Sequence, residues 1–178
     1  RVSASDAGKR PSSPLTTIRN RIDTSPQMSL PQLDPEFCRR RQNRLLKTMQ
    51  RDGIGRVVLT RPENVQYLTG FRPHRLMSAM VALDADGNCT LVAPNTAPEG
   101  VAADKCVTFE AQRLCTLRQD QDLAAAAKLQ NSFGRYSQPS TIAVDFASAD
   151  SLLRTALERK HDHAVTDIEP ELLRLRRK

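Results

Sequence analysis

The sequence predicts an α/β fold, a mixed β-sheet flanked by helices. Short apolar stretches rich in β-branched residues alternate with amphipathic helical stretches, and one pair of strand-like stretches is joined by a tight turn. A length of 178 residues suffices for one domain with its own core. We expect a disordered extension over residues 1–33, which is rich in proline, serine and charge. The ordered domain is predicted over 34–170, and a further helix has begun by 171–178.

The first helix is predicted to begin at Pro35 and to end at Gly53. Asp34 can cap its free amides, and proline at the first helical position loses no hydrogen bond. The buried strand "RVVLT" follows. Pro62 then opens a short helical turn, after which Gly70 permits the positive φ angle that a sharp turn requires.

The middle of the chain predicts a β-hairpin, because Asp86 and Gly87 lie between two apolar stretches. The alanine-rich stretch "LAAAAKLQ" favours a helix that stops at Gly134. The remaining elements are listed in order: hairpin strands Ser78 to Leu83 and Cys89 to Val92, a short helix over 96–104, a strand over 105–109, the alanine-rich helix over 118–133, the strand "TIAVD", a helix capped by Ser148 and running to Arg159, the strand "AVTDI", and a helix that starts at Pro170.

Charge is unevenly distributed in this chain, whose formal net charge is +7. Six cations and no acid lie between Arg39 and Arg51, and helical spacing places most of them on one solvated stripe. A module that binds nucleic acid or another polyanion through this stripe is the alternative function. Nucleic acid is not the partner we expect, because aromatic residues for base stacking make up only 4%. No apolar run is long enough to span a membrane, so no membrane partner is expected.

The residues that could bind a metal do not have convincing spacing. The four cysteines lack metal-site spacing, and we expect free thiols in a reducing cytoplasm. His161 and His163 could give two ligands to one metal, but a polar loop explains them better. Asp84, Asp145 and Asp150 could form the carboxylate cluster of a nuclease, although separate turn and capping roles account for each. We therefore predict no catalytic residue, metal site or cofactor within this chain.

The stretch "GFRPHRLM" is the most suggestive exposed segment. Arg72, His74 and Arg75 follow a predicted turn and lie close together in sequence. Arg75 in particular could hold a carboxylate. An ordinary polar loop explains the stretch equally well.

Taken in order, these pieces resemble a known domain. The basic helix, "GIGRVVLTRPENVQYLTGF", the hairpin "MVALDADGNCTLVAP", "TIAVD" and "DIEPELLRLRRK" are similar to the amino-terminal domain of the creatinase, prolidase and aminopeptidase P family. The resemblance covers about Pro35 to Lys178. Its most specific element is "NVQYLTGF", with Asn64, Tyr67 and Gly70 as structural residues, and the closing stretch Leu175 to Lys178 is a weaker element.

The resemblance implies a ribonuclease-H-like fold without nuclease activity. It also implies a carboxy-terminal pita-bread catalytic domain that is absent from these residues, where two divalent metal ions typically bind, so that residues 171–178 begin the linker helix. The parent would be a metal-dependent Xaa-Pro peptidase or a creatinase-type amidinohydrolase acting on a peptide or a small amidine. This domain would support a homodimer and lend a loop to the neighbouring active site. By position, the loop residues are Phe71, Arg72, His74 and Arg75.

Overall fold

The computed structural model describes residues 33–133, 141–149, 151, 153–155 and 164–177. A helical segment that includes residues 151 and 153–155 precedes the last strand. The other elements, in chain order, are α1 (Pro35–Asp52), β1 (Arg56–Leu59), α2 (Pro62–Thr69), β2 (Met80–Asp84), β3 (Cys89–Pro94), β4 (Lys105–Phe109), β5 (Gln112–Arg113), β6 (Thr116–Leu117), α3 (Gln121–Ser132), β7 (Thr141–Val144), β8 (Ala164–Asp167) and α4 (Glu169–Arg176).

Six of the described strands form one mixed sheet in the order β4-β3-β2-β1-β7-β8. The central strand β1 pairs antiparallel with β2 and parallel with β7. Beyond these, β2 pairs antiparallel with β3, while the β3–β4 and β7–β8 pairs are parallel. The two short strands β5 and β6 form a separate hairpin. The predicted mixed sheet is therefore confirmed.

Both faces of the sheet are largely buried along its inner strands β3, β2, β1 and β7. Successive side chains of a strand point to opposite faces, so Val57 and Leu59 enter one apolar cluster and Val58 enters the other. The first cluster is completed by residues of α1, α2 and α4, and the second by α3 and Leu153. This two-sided burial explains why β1 is apolar throughout its last three positions.

The ends of α1 follow the prediction from sequence. The Asp34 side chain accepts a hydrogen bond of 2.9 Å from the backbone amide of Glu36. Gly53 has a φ of 66°, and its amide donates to the carbonyl of Met49, which ends the helix.

A buried arginine connects the beginning of the central strand β1 to the end of α3. Arg56 is 1% exposed and forms an ion pair with Asp84. Its guanidinium also lies 3.5 Å from the ring centroid of Phe133, just beyond the end of α3. Stacking of a desolvated guanidinium on an aromatic face is a strong contact. We infer that this contact holds the end of α3 against the start of β1.

The predicted helix over residues 96–104 is wrong. The segment is irregular, since Pro98 removes a backbone donor and disfavours helical geometry at the residue before it, while Gly100 has a φ of +66°. The β5–β6 hairpin was not predicted, because each of its strands is only two residues long. Gly134, Asp150, Arg159, His161 and His163 lie outside the described residues.

Candidate functional site

The exposed stretch singled out from the sequence forms a loop over residues 71–76, which we call the presented loop. Arg72, His74 and Arg75 are exposed, and Leu76 is 53% exposed. Phe71 differs from them, because it is half-buried and packs against the first apolar cluster. The loop therefore presents three basic side chains and one leucine to solvent, anchored at its beginning by an aromatic ring.

Hydrogen bonds fix the beginning of the presented loop to α2. The hydroxyl of Thr69 donates to the carbonyl of Val65 at 2.7 Å and accepts from the amide of Phe71 at 3.1 Å. Gly70 has a φ of 79°, and a Cβ at this position would lie 3.1 Å from the carbonyl oxygen of Leu33. The chain can turn this sharply only because this residue is glycine.

The end of the presented loop is fixed to α3. The side-chain oxygen of Gln121 accepts from the amide of Ser78 at 2.9 Å, and its nitrogen donates to the carbonyl of Leu76 at 3.1 Å. Within the loop, the amide of Met77 donates to the carbonyl of His74 at 2.8 Å. The loop is thus a closed turn held at both ends.

Helix α2, which carries most of the stretch "NVQYLTGF", begins at a buried carboxylate. Asp145 follows β7, whose carboxyl end lies beside that of β1, and it is fully buried. Its carboxylate accepts from the amides of Thr60 and Arg61, from the Thr60 hydroxyl, and from the Asn64 side chain at 2.9 Å. Burial raises the pKa of Asp145, against the opposing effect of these donors.

The same motif binds the last helix. The Asn64 side-chain oxygen accepts from Arg176 at 2.5 Å, and the hydroxyl of Tyr67 donates to the carbonyl of Leu175 at 3.3 Å. The guanidinium groups of Arg41 and Arg176 lie 4.6 Å and 5.1 Å from the centroid of the Tyr67 ring. The motif "NVQYLTGF" therefore connects α1, β7 and α4, and this accounts for a tyrosine in a chain with few aromatic residues.

Half of the cations between Arg39 and Arg51 pair with acids of the same chain. Arg41 instead contacts Tyr67, because its guanidinium lies over the tyrosine ring and donates to the Tyr67 carbonyl at 3.1 Å. Within the described residues, Arg44 and Lys47 are the exposed cations of this stretch without an acid in ion-pair distance. The pairs are Arg39 with Asp104, Arg40 with Glu36, and Arg51 with Asp52 and Glu171. These contacts favour a structural use of the basic stripe over a polyanion site.

Asp84 and Asp145 do not come together. Asp84 pairs with Arg56 at the beginning of β1, whereas Asp145 binds Thr60 beyond its end. A separation of four strand residues corresponds to about 13 Å. This distance argues against a nuclease site built from the two carboxylates. The described part of the chain holds no group of three or more His, Cys, Asp or Glu side chains that could hold a metal ion.

Comparison with known proteins shows the family to which this chain belongs. The family model for the Creatinase/Prolidase N-terminal domain matches residues 41–178. The chain belongs to this family. No curated protein matches it. Among solved structures that resemble this creatinase/prolidase N-terminal domain, a proline dipeptidase from Streptococcus pneumoniae has 18% sequence identity and a TM-score of 0.59, and the match covers 76% of this chain and 96% of that chain. The Creatinase/Prolidase N-terminal domain of an X-Pro dipeptidase from Streptococcus pyogenes has 13% identity and a TM-score of 0.56, with coverage of 76% and 98%. A prolidase from Pyrococcus furiosus has 22% identity and a TM-score of 0.53, with coverage of 75% and 37%.

At these identities the solved structures show a shared fold and nothing more. Together with the family match, they confirm the creatinase/prolidase N-terminal fold predicted from the sequence. The described helices include none that is long and apolar enough to cross a membrane.

Two contacts of this creatinase/prolidase N-terminal domain were not predicted from the sequence. Gln121 carries no local signal, because a glutamine at the beginning of a helix is ordinary. Arg176 did have a signal, since it lies in the closing stretch Leu175 to Lys178. Its contact with Asn64 shows that the two family-like sequence elements touch each other.

Proposed function

We propose that this is the non-catalytic amino-terminal domain of a metal-dependent Xaa-Pro peptidase or of a creatinase-type amidinohydrolase. In this proposal the domain supports a homodimer, and its presented loop enters the active site of the neighbouring subunit. The observation that carries the proposal is the loop itself. Arg72, His74 and Arg75 are exposed on a turn that is hydrogen bonded at both ends. Basic side chains on such a preorganised turn suit the recognition of an anionic or polar substrate group.

The α4 contacts support a second part of the proposal. Arg176 and Leu175 are tied to α2, and α2 leads directly into the presented loop. A downstream catalytic domain attached through α4 would therefore have a defined orientation relative to the loop. The four free cysteines, two of them buried, support a reducing cytoplasmic location.

Peptidase assays test the catalytic part of the proposal. The 178-residue chain and the product of its complete reading frame are incubated with an Xaa-Pro dipeptide or with creatine, with manganese or cobalt added. We expect the complete product alone to hydrolyse one of these substrates. Hydrolysis by the 178-residue chain, with the same metal dependence, would contradict a non-catalytic role.

Mixed dimers test whether the loop acts on the neighbouring subunit. One subunit carries Arg72→Ala, His74→Ala and Arg75→Ala, and the other has lost its catalytic metal ligands. A loop that acts across the dimer restores activity in the mixture, because the intact catalytic domain receives an intact loop from its partner. A loop that acts within its own subunit leaves the mixture inactive. The matched control replaces three exposed cations of α1: Arg40, Arg44 and Lys47.

A further inference from the structure

We propose that Gln121 is a positioning residue that sets the geometry of the presented loop. The inference rests on the proposed role of that loop, but its structural part can be tested without a partner subunit. Gln121 is the first residue of α3. Side chains of a helix lean toward its amino terminus, so the carboxamide points away from α3 and toward the loop.

Both polar atoms of the Gln121 side chain serve the loop. The oxygen accepts from the amide of Ser78, and the nitrogen donates to the carbonyl of Leu76. Exchanging the two atoms would bring donor against donor and acceptor against acceptor, so the orientation of the carboxamide is determined by these partners. The two bonds bracket Met77 and fix the backbone in the short link between the presented loop and β2.

The helix that carries Gln121 packs against the core of the domain. Ala125, Ala126 and Leu129 bury one side of α3 in the second apolar cluster. The stacking of Phe133 on Arg56 holds the other end of this helix. Gln121 therefore fixes one end of the presented loop relative to the sheet, and Thr69 fixes the other end.

Nuclear magnetic resonance on the 178-residue chain tests the proposal. We expect Gln121→Ala to increase amide hydrogen exchange at Ser78 by about tenfold, the factor that corresponds to the loss of one ordinary hydrogen bond. Backbone order parameters of Arg72, His74 and Arg75 should fall from about 0.85 toward 0.6. The urea midpoint should stay nearly unchanged, because the two lost bonds are part-buried and exposed, so that water can replace them while the rest of the fold stays intact.

Two variants make the test specific. Gln121→Glu keeps an acceptor for the Ser78 amide but loses the donor to Leu76, so it should keep Ser78 protected while loosening the loop. Gln119→Ala is the matched control, since Gln119 is an exposed glutamine in the preceding turn. Unchanged exchange and order parameters in Gln121→Ala would overturn the proposal. So would a general loss of protection together with a lower urea midpoint, because that would show a role in overall stability.

The functional consequence is measured separately. In the complete enzyme, Gln121→Ala should raise KM several-fold more than it lowers kcat, since the loop residues remain present but are less well ordered. If the order parameters fall and the kinetics do not change, Gln121 still positions the loop and the proposed role of the loop is wrong. If the order parameters do not change, the positioning role is wrong whatever the kinetics show.

Discussion

Replacing Asn64 tests the central contact of the motif. Asn64 is fully buried and joins Asp145 to Arg176. In Asn64→Ala, a hydrogen bond to a buried carboxylate is lost, which costs about 2 kcal/mol, and the contact with Arg176 adds about 1 kcal/mol. With a urea m-value of about 2 kcal/mol/M for a domain of this size, the midpoint should fall by about 1.5 M. Circular dichroism during urea unfolding measures this shift.

A second variant at the same position adds a dependence on pH. Asn64→Asp places a carboxylate beside that of Asp145, and two such charges about 3 Å apart repel by about 5 kcal/mol at an effective dielectric constant of 20. Arg176 offsets part of this repulsion. We therefore expect Asn64→Asp to be less stable than Asn64→Ala at pH 7.

The raised pKa of Asp145 determines how the stability of Asn64→Asp changes with pH. Burial already raises the pKa of Asp145 in the folded state, and a second carboxylate raises it further. A carboxyl group with a raised folded pKa stabilises the fold below its unfolded pKa, and loses this contribution as pH rises through the folded pKa. Asn64→Asp should therefore gain stability relative to Asn64→Ala when the pH is lowered from 7 toward 4.

A matched control and a refuting result complete this test. Asn43→Ala removes an exposed asparagine of α1 and should change stability by no more than about 0.5 kcal/mol. The reasoning is refuted if Asn64→Ala behaves like this control. It is equally refuted if Asn64→Asp matches or exceeds the stability of Asn64→Ala at pH 7.

Three further substitutions test contacts elsewhere in the fold by urea unfolding. Phe133→Leu removes the stacking partner of buried Arg56 and should cost about 2 kcal/mol, and a loss below 0.5 kcal/mol would contradict the role of this contact. Asp104→Asn weakens a half-exposed ion pair with Arg39, whose guanidinium lowers the pKa of Asp104 in the folded protein. The wild type should therefore be more stable than this variant by about 0.5 to 1 kcal/mol at pH 7, and the difference in unfolding free energy should shrink as pH falls below 3.8. A difference that does not depend on pH would disprove this assignment. Leu114→Gly should stabilise the chain by about 0.5 to 1 kcal/mol, because this leucine has a φ of +55° and is 93% exposed; a destabilised variant would show that the side chain has a packing role.

The local signals of the sequence predicted most of the elements. Asp34, Gly53 and Gly70 act within a few residues of their own positions, and their roles in capping or turning the chain were read directly. The segment around Pro98 was misread as helical, although proline and Gly100 both oppose a helix there. The two-residue strands β5 and β6 are too short to show a period in sequence.

The presented loop was predicted as an exposed basic stretch, but its anchors were not. Gln121 lies 43 residues after Ser78, and nothing in the intervening sequence indicates their hydrogen bond. Asp145 was interpreted as a residue with a turn or capping role, with membership of a carboxylate cluster as the alternative. The structure instead places it at the beginning of α2, because the parallel pairing of β1 and β7 brings their carboxyl ends together.

The sequence by itself determined most of the secondary structure, the mixed sheet and the family, since short-range sterics, capping and hydrophobic period depend on neighbouring residues. Only the tertiary structure decided that Asn64 and Tyr67 hold α4, that Asp145 anchors α2 and that Gln121 fixes the presented loop. Each of these contacts joins residues far apart in the chain. They depend on strand order and pairing, which bring distant side chains within hydrogen-bond distance and which the local pattern of a segment does not encode.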